Sequence, residues 1–220
     1  MPNIPIINIH THQTSDADIE LLNVKDYQPN PLISMGLHPW FLEESSIESQ
    51  LKSLKINAKA PNVLAIGECG LDRNITTDLA KQIKVFEAQI AIAESVQKPL
   101  IIHCVKCFSE LISIKKKHKP SVPMIVHGYN NNLEILAQLL KNDFYISLGG
   151  ALLRTNANAS KALDIIPNNR LFLETDDTNI SISSIYKTAA EQKSVEVEEL
   201  KLLIYKNFQH CFKSFGLTDI

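Results

Sequence analysis

Six residues of metal-ligand type lie at or just past the ends of separate apolar runs. They are His10 and His12 in INIHTH, Glu68 in LAIGECGLD, His103 in LIIHC, His127 in MIVHG and Asp176 in LFLETD. One strand ending on a histidine is unremarkable, and taken singly His103 or His127 reads as a hydrogen-bonded core residue. Six ligand-type residues on five such ends point instead to metal-dependent hydrolysis at the rim of a β/α barrel, where the strands finish. His10 and His12 are two apart, so in an extended segment both imidazoles face one side and can reach one ion. Glu68 sits among Gly67, Cys69 and Gly70, where glycine lets the backbone turn sharply. Its two oxygens suit it to bridging two ions. Four histidines and two carboxylates form a mixed nitrogen and oxygen set, suited to zinc, manganese or iron(II) rather than an all-oxygen site. Two such ions can clamp an attacking water and a leaving oxygen, with Asp176 and Glu68 as the catalytic carboxylates.

The elements that must position these residues are an alternation of short apolar runs with longer helical patterns. Strands are predicted over Ile4–Ile9, Ile19–Val24, Leu32–Gly36, Val63–Gly67, Leu100–His103, Met124–His127, Phe144–Leu148 and Leu171–Glu174. Several are unbroken Val, Ile and Leu runs, as parallel strands covered on both faces should be. Between them, Leu79, Ile83, Phe86, Ile90, Ala93 and Val96 recur at helical spacing within Asp78–Val96. Leu133–Leu140 and a last helix from about Val195 to Phe215 follow the same rule, the latter with Ser194 as N-cap and Gly216 as stop. Strand alternating with helix implies a parallel sheet. Ligands spread over nearly all strands favour closure over an open sheet, whose ligands gather at one switch point. The predicted fold is a TIM-barrel-like (β/α) barrel of seven or eight parallel strands, forming one domain over residues 1–220.

Composition narrows the function classes. The chain has 220 residues and a net charge of −2, which argues against gripping nucleic acid through bulk charge. The one basic cluster, Lys115 to Lys119, reads as a solvated helix C-terminus. No apolar stretch approaches a membrane span and no leader pattern is visible, so a cytoplasmic protein with no membrane association is expected. Nothing in the sequence calls for an obligatory protein partner. The four cysteines should be reduced in that compartment. Cys104 and Cys107 form a C-x-x-C without a second pair, so they read as packing or supporting residues rather than a zinc ribbon.

Around the ligand set lie residues that could meet substrate. His38 and Trp40 in GLHPW are placed on the substrate side, Trp40 as an apolar or stacking wall. A loop-packing tryptophan and a capping histidine are the competing reading. Arg73, Lys106 and Arg154 are candidate phosphate partners, with plain solvation as the alternative for each. Glu174 lies two residues before Asp176 on the same side of its strand and is assigned a supporting role.

With these motifs quoted, the chain resembles the TatD family of metal-dependent hydrolases along nearly its whole length. INIHTH resembles the family's first-strand His-x-His, and GLHPW its G-[IV]-H-P segment. AIGECGLD resembles A-I-G-E-[IC]-G-L-D, the most specific piece. PLIIHC, VHGYNNN, YISLGG, LFLETD and the Lys206-Asn207-Phe208 to Phe212 stretch match later family segments in order. The resemblance implies an amidohydrolase-like barrel in which His10, His12 and Asp176 hold one divalent ion. His103 and His127 would hold the other, Glu68 would bridge, and Asp72 would support the site. It implies phosphodiester hydrolysis, commonly a magnesium-dependent deoxyribonuclease with 3′→5′ exonuclease activity, so DNA or another phosphodiester is the expected substrate. Three departures bear on that substrate. Val105 stands where the family often has arginine, with Lys106 next, so a bidentate phosphate clamp becomes at most a point charge. The stretch from His12 to Ile33 is short, predicting a missing or reduced first helix and an abbreviated barrel near the second strand. Asp177-Thr178 replaces a small residue and proline, adding negative charge. A hydrolase of small amides, esters or lactones on the same scaffold is the alternative.

Overall fold

The computed structural model describes residues 4–213. Its strands are β1 (Ile7–Thr11), β2 (Ile19–Val24), β3 (Ile33–Met35), β4 (Val63–Asp72), β5 (Leu100–Val105), β6 (Met124–Val126), β7 (Tyr145–Leu148) and β8 (Leu171–Leu173). Its helices are α1 (Ile47–Asn57), α2 (Leu79–Val96), α3 (Phe108–His118), α4 (Leu133–Lys141), α5 (Asn158–Ile165), α6 (Ile182–Lys193) and α7 (Val197–Cys211). Strand order is chain order. No helix lies between β1 and β2, as the short His12–Ile33 stretch predicts. Within the described residues the chain divides into two compact units, residues 4–22 with 126–210, and residues 23–125 with 211–213.

In the first unit, β1 pairs with β2 in parallel, Ile7 opposite Ile19 and Thr11 opposite Leu22. β7 pairs with β8, Ile146 opposite Leu171, and Thr11 bridges to Asp176 beyond the end of β8. Every residue of β1 and β8 is buried, which is why these strands read as apolar runs. Tyr186 of α6 locks the start of β1: its hydroxyl donates to the Ile7 carbonyl at 2.9 Å and accepts from the Ile7 N–H at 3.2 Å. Asn207 of α7 donates to the carbonyls of Asn168 and Leu171 at 2.8 and 2.9 Å. That gives the closing Asn-x-x-x-x-Phe segment its structural purpose: it fixes where β8 begins.

In the second unit β3, β4 and β5 run in parallel. All ten residues of β4 are buried, and the apolar face of α2, with Phe86, Ile90 and Ala93 buried, covers them. β4 is longer than the predicted Val63–Gly67. Its register with β5 shifts between Ile66 and Cys69 and then resumes, with Gly70 opposite His103 and Asp72 opposite Val105. Glu68 therefore lies in a bulge inside the strand rather than past its end, and a bulge re-aims a side chain. Gly70, at φ +138°, leaves no room for a side chain: a Cβ there would overlap the His103 carbonyl oxygen.

Two local readings change. Ser194 is the left-handed C-cap of α6, its N–H bonded to the carbonyls at the helix end, rather than the N-cap of the last helix. That helix begins at Val197. Phe215 and Gly216 lie outside the described residues. The Lys115–Lys119 cluster does end a helix: Lys115 to His118 form the last turn of α3, and Lys117 and His118 both reach Glu87, each at 2.8 Å. Among the described residues no disulfide forms, and Cys69, Cys107 and Cys211 are buried. Burial pushes the Cys107 thiol up, the opposite of what a reactive C-x-x-C needs. Among the described residues no helix is long and apolar enough to cross a membrane.

Candidate metal centre

In the first unit the end of β1 and the turn after β8 are stitched together. The Asp176 N–H donates to the His10 carbonyl and the His12 N–H to the Asp176 carbonyl, both at 3.1 Å. These bonds hold Asp176 at φ +55°, a left-handed conformation uncommon for a non-glycine residue and typical of functional positions. Beneath them, fully buried Asn8 accepts from the Thr175 N–H at 3.1 Å and donates to the Thr175 hydroxyl at 2.8 Å. The result brings His10 Nε2 to 3.4 Å and His12 Nε2 to 3.5 Å from the same Asp176 oxygen. Ligand atoms of the three lie within 4.8 Å of one another. Replacing Asn8 by alanine strands the Thr175 N–H in the interior, so N8A should lose about 1–3 kcal/mol of stability. Denaturant unfolding checks this, and the loss of the strap should also loosen the placement of Asp176.

His127 and Glu174 complete this unit's cluster. Glu174 is fully buried, and its Oε1 accepts from the Gly128 N–H at 2.6 Å with His127 Nδ1 at 3.3 Å. A carboxylate on one ring nitrogen fixes the tautomer and leaves the other nitrogen with its lone pair. His127, Glu174 and Asp176 also offer ligand atoms within 4.8 Å of one another.

In the second unit the cluster is His38, Glu68 and His103. Glu68 is 6% exposed; its Oε1 lies 3.1 Å from His38 Nε2 and 3.0 Å from His103 Nδ1. Its N–H donates to the Asn23 side chain at 2.8 Å, which anchors the bulge. His38 Nδ1 accepts the Trp40 N–H at 3.1 Å. A neutral His38 therefore carries its proton on Nε2 and donates to Glu68. That makes His38 a partner of the carboxylate, closer to the site than a substrate-side residue of the loop. His103 Nε2 faces Asp72 Oδ2 at 3.1 Å, and the same oxygen accepts the Trp40 indole N–H at 2.7 Å. Asp72 Oδ1 accepts the Asn74 N–H at 2.8 Å. Burial works against the Asp72 charge, but the bonds from Trp40, Asn74 and His103 outweigh it and hold its carboxyl below the usual range.

Sequence reasoning missed Gln82 and Gln89. Both are buried on α2. Gln89 clamps Leu37, the residue before His38, accepting its N–H at 2.7 Å and donating to its carbonyl at 3.1 Å. Gln82 does the same for Asp72, at 2.8 and 3.0 Å. The signal was present: Gln82, Phe86, Gln89 and Ala93 share one helical stripe, and an amide on a stripe that must be buried needs a buried partner.

The donor arrangement fits divalent cations. With Asp72 holding the His103 Nε2 proton, Nδ1 and Glu68 Oε1 face each other at 3.0 Å as two lone pairs, which repel unless a proton or cation lies between them. Glu174 Oε2 is buried with no hydrogen-bond partner among the described residues, and such an oxygen calls for positive charge. Burial opposes the Asp176 charge, yet the imidazoles of His10 and His12 outweigh it and keep its carboxyl well below the usual range. The site thus presents ionised carboxylates beside histidines, the chemistry of a divalent metal site.

The phosphate candidates are less uniform. Arg73 is engaged, its guanidinium paired with Glu110 and bonded to the Lys106 carbonyl at 3.0 Å. Lys106 and Arg154 are exposed, as is Asp177. Trp40 is 56% exposed and borders the second-unit cluster.

Comparison with known proteins identifies the family and the fold. Residues 5–213 match the family model described as TatD related DNase. An uncharacterized metal-dependent hydrolase of Mycoplasma genitalium is 29% identical, over 96% of this chain and 90% of its own length. The 3'-5' ssDNA/RNA exonuclease TatD of Erwinia tasmaniensis is 32% identical over 64% of this chain, which spans 56% of that protein. The crystal structure of the Escherichia coli TatD homologue YJJV superposes with a TM-score of 0.80 at 19% identity, covering 94% of this chain and 98% of the other. That likeness shows the fold, the TIM-barrel-like (β/α) class that the alternation of strands and helices predicts.

Proposed function

The chain belongs to the TatD-related DNase family, and from that premise we propose that it is a metal-dependent hydrolase of phosphodiester bonds in single-stranded nucleic acid. The observation that carries this reading is the set of ionised carboxylates wedged between imidazoles, with a family match over nearly the whole chain. The exonuclease name of the Erwinia relative supplies the substrate class. His10, His12 and Asp176 would hold one divalent ion, with His127 of the same unit as a further nitrogen donor, and Glu68 and His103 would serve another. Zinc, manganese and magnesium are the candidates. Ions bound there would supply Lewis-acid polarisation of a phosphoryl oxygen and a water activated near neutral pH.

The chain's own residues do the rest. Asp176, kept ionised, accepts a hydrogen bond from the attacking water and orients it. Glu68 receives a hydrogen bond from His38 Nε2 at 3.1 Å and, with the lone pair of His103 Nδ1 at 3.0 Å, faces the place where a cation would sit. Asp72 fixes the ring of His103, and Glu174 that of His127, so that each presents one nitrogen. Lys106 and Arg154 are left to meet the phosphate, Lys106 as a point charge. Cysteines that form no disulfide among the described residues suit a reducing, cytoplasmic setting.

Removing divalent ions with a chelator should abolish hydrolysis of a labelled single-stranded oligonucleotide, and adding back manganese or magnesium should restore it. Hydrolysis that survives chelation would contradict the reading. Robust turnover of lactones or small esters, with none of oligonucleotides, would move the substrate class to acyl compounds.

A further inference from the structure

Trp40 and Phe41 are the most exposed aromatics among the described residues, 56% and 60% accessible, while Phe86 and Phe108 of the same unit are buried. They are not loose. They sit in a 3₁₀ turn, Pro39–Phe41, whose N–H groups are taken: Trp40 donates to His38 Nδ1 and Phe41 to the His38 carbonyl, each at 3.1 Å. The indole N–H is fixed on Asp72 at 2.7 Å. The Trp40 ring lies 5.1 Å from the His38 ring and 5.8 Å from that of His103, and Phe41 lies 5.6 Å from His38. A rigid, exposed aromatic surface is therefore continuous with the carboxylate and histidine cluster.

The net charge of −2 gives a polyanion little general attraction. A planar, uncharged group with apolar faces fits this surface, and in a nucleic acid that group is the base. Stacking on aromatic side chains holds bases without regard to sequence. In a duplex both faces of a base are covered by its neighbours, so only an unpaired, unstacked base can use such a platform. We propose that the Trp40–Phe41 turn is a base-stacking subsite that seats one nucleobase of a single strand beside the His38–Glu68–His103 cluster. This rests on the phosphodiesterase reading above. Asp72 takes both the indole N–H and the His103 ring, so the stacking surface and an imidazole of the site share one anchor.

Trp40 is the sole tryptophan, so intrinsic fluorescence reports on the subsite directly. The full-length chain, loaded with manganese, is titrated with phosphorothioate-linked oligothymidylate, which resists hydrolysis, and with the same backbone lacking bases. Binding is followed in parallel by anisotropy of a labelled strand, and cleavage by ordinary phosphodiester strands of both kinds. The expected result is saturable quenching by the base-bearing strand and binding about tenfold weaker for the abasic one. Phe41→Ala should weaken only the base-bearing strand, again about tenfold. Equal binding of both strands with no change in Trp40 emission would overturn the subsite while cleavage of both left the phosphodiesterase intact. Emission that changes with protein concentration but not with either strand would also overturn it, pointing to self-association. Neither strand bound nor cleaved would defeat the phosphodiesterase reading and the subsite with it.

Discussion

Asp176→Asn should lower kcat/KM for oligonucleotide hydrolysis by about a thousandfold or more while leaving the fold in place. Removing one preorganised charged group from a hydrolytic site typically costs about 10²–10⁴ in rate, and Asp176 is asked both to hold an ion and to orient the water. Asparagine is the informative replacement because of the backbone. Asp176 sits at φ +55°, and asparagine enters the left-handed region more readily than most residues. The backbone bonds to His10 and His12 can therefore survive, and only the charge is lost. Steady-state kinetics with a thermal melt checks both halves. Activity within tenfold of wild type would show that the carboxylate is not part of the machinery. An unfolded variant would instead mean that the charge supports the turn itself.

The largest structural effect is expected at Gly70→Ala. The backbone there lies at φ +138°, and the added methyl would overlap the carbonyl oxygen of His103 on the paired strand. Nothing flexible can yield: the obstacle is backbone in a buried ladder. Strained conformation and displaced strand together should cost about 4 kcal/mol or more, a large part of the stability of an ordinary domain. Soluble yield and urea midpoint read this out. A midpoint near wild type would mean that β4 and β5 part more easily than their geometry allows. Because His103 and Glu68 lie on these strands, the same change should disturb the site even where some folded protein survives.

Most strands are legible in the sequence because they are covered on both faces, so Val63–Ile66 or Leu100–Ile102 shows as an unbroken apolar run. The ligand-type residues were legible because they stop those runs. The missing first helix is legible in the short His12–Ile33 stretch, set against the family's pattern. What escaped depends on partners far away in sequence. The bulge at Glu68 is a register shift against β5, and register is a property of two strands. The left-handed turn at Asp176 is imposed by β1, at the other end of the chain. The roles of Gln82 and Gln89 escape the sequence because the backbone they clamp, at Asp72 and Leu37, is not adjacent to them in the chain. His38 was assigned to the substrate side, and its bond to Glu68 depends on a tautomer set by the Trp40 N–H. Ser194 offers a capping hydroxyl, but the chain uses its backbone to end α6.

If these clusters seat divalent ions, the purified chain must carry them in countable number. The chain is stripped with chelator, dialysed against manganese or zinc, and its bound metal counted by elemental analysis, beside Asp176→Asn and Glu68→Gln. Two ions per wild-type chain are expected, with at least one lost in each variant. Wild-type protein that retains no ion, or variants that retain as many as wild type, would contradict it.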